Sequence, residues 1–254
     1  MPIGRRIRDV GRALSGKGTV TYAAKAPGLT FERVDLVRDE RYQVCLSSPK
    51  PEEVALSVGT DCASQQEAFE FSASLAEQVL DDLAVRLKRS IGRERMTGYC
   101  LRKLTVEPGD TAPYVTESSL VVSYAILALP TTMDSLATKF LFDDLLDTDM
   151  KRRVWRHLFR DALNIEEPIA RFMLLYGILL LVCGDNQKKV DDCIWRLRPS
   201  TVPSEDRNRR KKTTYCELRN ELGHGRPGWN IERLLQKAET LLPEFTAIVA
   251  EAIE

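Results

Sequence analysis

The feature that most constrains this chain is a change of hydrophobic period part-way along it. From about residue 20 to about 128, apolar residues come in short runs rich in valine and leucine: "LTFERVDLV" (29–37), "YQVCLSS" (42–48), "EVALSVG" (53–59), "YCLRKLTVE" (99–107) and "SSLVVSYAILAL" (118–129). Such runs, broken by turn signals like "PGDTAP", predict strands. One helical stretch interrupts them. "SQQE" at 64–67 is a capping box, and Phe71, Leu75, Val79, Leu80, Leu83 and Leu87 follow at helical spacing until Gly92 closes the run.

After about residue 132 the strand signal stops. "MDSLATKFLFDDLLD" and "DMKRRVWRHLFRDAL" are amphipathic, 166–183 is expected to be a buried helix, "KKVDDCIWRL" ends before Pro199, and a last run begins at Asn230, a predicted N-cap, with Pro243 expected to kink or split it. The predicted fold class is therefore α+β. A basic arm (1–19) leads into a small mixed α/β domain (20–131), and an all-α bundle of five or six helices (132–254) follows.

Composition narrows the functions this layout can serve. At 254 residues with 43% hydrophobic and 29% charged positions, the chain has the make-up of a globular protein. Lys+Arg and Asp+Glu both number 37, so any nucleic-acid site must be a local patch. The six cysteines are scattered without a CxxC, which predicts small buried hydrophobes in a reducing cytoplasm, and no metal-ligand cluster or cofactor motif is visible. "FMLLYGILLLVCG" (172–184) is too short to span a bilayer core of about 30 Å, and the Arg-rich start lacks the apolar core of a secretion signal. No membrane association is expected.

One stretch carries chemistry. "YCELRNELGHGRPG" (215–228) holds Arg219, Asn220 and His224, one of two histidines in the chain. Thr214 to Glu217 is a predicted capping box that starts a helix. On it Arg219 and His224 would lie about 7.5 Å apart along the axis and about 140° apart around it, while Asn220 shares the histidine's face. The bare spacing is cheap, since Arg152 stands five residues before His157 in the same way. Context separates the two: Asn220 directly follows the arginine, Gly223 and Gly225 loosen the helix end, and "TVPSEDRNRRKK" (201–212) brings Arg207, Arg209, Arg210, Lys211 and Lys212 just upstream. That basic run reads either as a solvated connection or as an RNA-tracking loop.

Taken together, "RNELGH" and the helices around it resemble the R-[ND]-x3-H motif of HEPN domains. The resemblance covers roughly residues 135–254 and is nearest to the ApeA-like and MauJ-like groups, in which the helical domain follows an unrelated one. It implies a metal-independent endoribonuclease, needing no cofactor, that acts on RNA as a homodimer. A toxin or antiviral-defence role is implied, with an antitoxin or sensor partner to restrain it. Arg219, Asn220 and His224 would be the catalytic residues, and Phe140, Phe142, Trp155 and Phe159 the apolar residues placed to bury a dimer interface. Two other classes stay open: a non-catalytic HEPN-like binding or assembly module, and an accessory protein of a metabolic operon.

Overall fold

The computed structural model describes residues 16–29, 31, 33–39, 42–50, 52–62, 64–105, 114–121, 149–205, 211–224 and 230–254. It is α+β. The chain divides into two compact units, one of residues 1–77 and 94–138 and the other of 78–93 and 139–254. The boundary expected near residue 131 falls outside the described residues. The long helix α1 (Gln65–Leu87) contributes its first half to one unit and its second half to the other.

The first unit is a six-stranded, wholly antiparallel sheet: β1 (Gly16–Lys25), β2 (Val34–Asp39), β3 (Tyr42–Lys50), β4 (Glu53–Cys62), β5 (Arg95–Thr105) and β6 (Tyr114–Val121), in the order β2-β3-β4-β1-β5-β6. Alternation puts one row of apolar side chains inside. Val44, Val58 and Val20 stand side by side across three strands, as do Leu46, Leu56 and Tyr22, and all six are buried. The first half of α1 closes over this unit's core. Tyr22 shares a 2.8 Å hydroxyl–hydroxyl hydrogen bond with Ser72, and the Phe69 ring meets Tyr99 edge-on at 5.1 Å.

Three expectations need correction in the sheet and in α1. β1 was not read as a strand, and Gly16 to Thr19 belong to it rather than to a basic arm. Its composition hid it: Gly18 pairs with Leu101, and a Cβ there would run into the Leu101 side chain. α1 begins as expected, with the Ser64 hydroxyl accepting from the Glu67 amide, but it ends at Leu87 rather than at Gly92. Lys88 takes a left-handed conformation (φ 53°), and the Arg89 amide reaches back to the Ala84 carbonyl.

The second unit contains α2 (Met150–Leu163), α3 (Pro168–Val182), α4 (Gln187–Leu197), α5 (Thr214–His224) and α6 (Ile231–Ile253). Its helices start where side chains satisfy their first amides: Asp149, Glu167, Asn186 and, as expected, Asn230 cap α2, α3, α4 and α6. α3 is the apolar helix, with Phe172, Leu175, Tyr176, Ile178 and Leu179 buried. Phe245 of α6 sits among three rings, 4.9 Å from Phe172, 6.2 Å from Tyr176 and 4.8 Å from Tyr215, on which it stacks. Pro243 lies within α6 without splitting it.

The unit is not all-α. A two-stranded hairpin, β7 (Pro203–Glu205) with β8 (Lys211–Thr213), brackets the basic run and leads directly into α5. The helix expected over 135–146, with Phe140 and Phe142, lies outside the described residues. Phe159 is fully buried in the unit's own core and Trp155 packs against that core, so Phe159 has no surface to give a dimer. Met150 and Val154 are the exposed apolar residues of α2. Among the described residues no single helix is long and apolar enough to cross a membrane.

Candidate functional site

The site is built where β8 becomes α5. The helix is capped by Thr213, one residue earlier than the sequence suggested: its hydroxyl accepts from the Cys216 amide at 3.2 Å. Both the amide and the hydroxyl of Thr213 donate to the buried Asp191 carboxylate on α4, at 2.9 and 2.7 Å. That anchor explains why Thr213 rather than Thr214 is the cap. Burial pushes the Asp191 carboxyl above its ordinary range, while the two Thr213 bonds pull it back.

Glu217 therefore has a different job from capping. Its carboxylate accepts from the Ser204 hydroxyl of β7 (2.9 Å) and from Lys237 of α6 (3.1 Å). Burial pushes this carboxyl up, but Ser204, Lys237 and Lys212 together outweigh it and hold it below the ordinary value. Lys237 also reaches Glu221, so α5 is tied along one side to α6.

Arg219 and Asn220 come together. The Arg219 guanidinium donates to the Asn220 side-chain oxygen at 3.2 Å and lies 6.0 Å over the Tyr176 ring. A Cβ at Gly223 would come only to 4.0 Å from this guanidinium, an ordinary van der Waals contact. Among the described residues no carboxylate pairs with Arg219, whereas Arg156, Arg160 and Arg198 of the same unit all meet carboxylates within 3.0 Å. A half-buried guanidinium held by a neutral amide and a ring keeps its charge for an outside anion.

Asn220 is held in turn. Gln187 of α4 donates to its oxygen at 3.1 Å and to the Cys216 thiol at 2.8 Å. Behind them the buried Tyr176 hydroxyl makes no hydrogen bond of good geometry among the described residues; burial, then the neighbouring Cys216, push it well above the ordinary phenol range. Burial and the nearby Asp191 likewise push the Cys216 thiol up.

Cys216 and Asn220 line an open cleft of about 690 Å³ between α4 and the β8–α5 junction, with Gln187, Lys188, Asp191, Asp192, Trp195, Lys211 and Lys212. His224 is the last residue of α5 and occupies the next i, i+4 position of the Cys216–Asn220 row. Of the expected basic residues, Lys211 and Lys212 are on the cleft wall, while Arg207, Arg209 and Arg210 lie outside the described residues, as does Gly225.

The other histidine is in different company. His157 of α2 lies 3.4 Å from Asp81 and 3.6 Å from Asp161, beside the Arg160–Asp81 and Arg156–Asp82 ion pairs. Sequence reasoning missed Tyr176, Gln187, Asp191 and Trp195. Only Asp191 left a trace, as a carboxylate beside Val190 on the buried side of an amphipathic helix. Compared with protein-family models, with curated proteins and with solved structures, the chain has no match.

Proposed function

We propose that the helical unit is a metal-independent endoribonuclease of the HEPN kind, acting as a homodimer. The observation that carries this reading is the Arg219 guanidinium: half-buried, steadied by Asn220 and Tyr176, free of any carboxylate among the described residues, and next to a cleft edged by Lys211 and Lys212. In the proposed reaction the RNA 2′-oxygen attacks the adjacent phosphorus, the bond to the 5′-oxygen breaks, and a cyclic phosphate and a 5′-hydroxyl result. Arg219 holds the phosphate as negative charge builds on it. The imidazole of His224, a group whose ordinary pKa is near 6.5, exchanges the proton. One proton leaves the 2′-hydroxyl and one reaches the departing 5′-oxygen, so a second copy of the motif across a two-fold axis would supply the second proton-exchanging group.

The test is cleavage of total RNA in EDTA by the wild type, Arg219→Ala, His224→Ala and His157→Ala. Each of the first two substitutions should cost about a hundredfold or more, and the third should change little. Equal cleavage by all four proteins, or dependence on an added metal, overturns the proposal. A binding or assembly module is the second reading, favoured by the clamp of Gln187 on Asn220, which is the kind of internal satisfaction a purely structural cluster shows. RNA binding that weakens in Arg219→Ala without any cleavage in the wild type would select it.

A further inference from the structure

The cleft beside Asn220 has a composition that its role as a neighbour of Arg219 does not explain. One face of α4 supplies Gln187, Asp191 and Trp195 at successive i, i+4 positions, while Val190 and Ile194 turn into the core. Trp195 is only half-buried, although the unit has a core that could enclose it. Lys188, Lys211 and Lys212 surround the same space. These three lysines outnumber the two carboxylates there, Asp191 and Asp192, and Asp191 is engaged by Thr213. The volume, about 690 Å³, falls inside the range of about 300–1,000 Å³ typical of small-ligand sites.

A flat ring, lysine ammonium groups and two side-chain amides are the complement of one nucleotide: a base with a π-face and polar edges, and an anionic phosphate. We propose that this cleft takes one unpaired nucleotide of the RNA, its base stacked on Trp195 and its phosphate against Lys211 and Lys212. The next phosphate of the strand then lies toward Arg219 and Asn220. Trp195 is a positioning residue: it acts on the scissile phosphate only through the nucleotide it holds. A base inside a duplex has no free face, so the site selects single strands. The identity of the ligand as RNA rests on the endoribonuclease reading, but stacking in the cleft does not require that cleavage occur.

The experiment measures binding of a fluorescent single-stranded oligoribonucleotide to the full chain carrying Arg219→Ala, compared with a duplex of the same sequence and with inorganic phosphate. Trp195→Leu should weaken single-strand binding about tenfold, the size of one lost stacking contact. Trp195→Phe, which keeps a ring, should recover most of the affinity and shows that the loss is not a folding defect. Affinity unchanged in Trp195→Leu, equal affinity for the duplex, no binding of the single strand, or full competition by a poly-glutamate peptide each overturns the proposal. A Trp195-dependent affinity in a chain that never cuts RNA would leave this subsite standing and remove the nuclease reading instead.

Discussion

At the residue scale the site depends on Thr213. Its hydroxyl caps α5 and also serves the buried Asp191 carboxylate, so removing it orphans an amide and weakens a buried acid together. Thr213→Val should cost about 2 kcal/mol in urea unfolding, the sum of a lost cap and a lost bond to a buried charged group. The sign of its pH dependence follows from Asp191. That carboxyl is raised above its ordinary value, so the folded chain holds the proton more readily than the unfolded chain, and stability declines as pH rises past the ordinary carboxylate range. The substitution should steepen that decline; a cost independent of pH would show that Asp191 is not the partner that matters. Arg219 and Asn220 were legible in the sequence because they are adjacent. Tyr176, Gln187 and Asp191 were not, because they reach the motif only through tertiary packing.

At the element scale, strands rich in valine and leucine and helices with capping residues announced themselves. The hairpin β7–β8 did not: three residues a side, none of them a large apolar one, carry no period to read. Pro243 signals a kink or a split; α6 runs through it unsplit, with Phe245 just beyond it packed among three rings. The end of α6 supplies a second pH-dependent element. Glu251 receives both Nη atoms of Arg198, at 2.8 and 2.7 Å, and Lys88 at 3.2 Å. The Arg198 hydrogen bonds, helped by Lys88, lower its carboxyl from an ordinary 4.5 to about 2. This stabilisation is present above the ordinary value and disappears as pH falls toward the lowered one. Glu251→Gln should abolish that acid limb and cost no more than about 1 kcal/mol at neutral pH, since solvent screens the partly exposed pair. An acid transition identical to that of the wild type would assign the limb to other carboxylates.

At the scale of the whole molecule, the proposed nuclease needs two chains. Light scattering over a concentration series should give twice the chain mass at micromolar protein, and Val154→Glu, on the exposed apolar side of α2, should lower it. A monomer that still cleaves RNA through His224 would refute the shared site. The sheet has a consequence of another kind, for the order in which the protein can be made. β1 is the first described strand to leave the ribosome, yet it is the inner strand between β4 and β5. Its partners are synthesised roughly forty and roughly eighty residues after it, a high contact order for a small unit. Until β1 docks between them, β4 of the β2–β3–β4 meander and β5 of the β5–β6 hairpin each present an unpaired edge. Folding of this unit is therefore expected to be a late, slow insertion, and the nascent chain to be most prone to aggregate while that central place is still open.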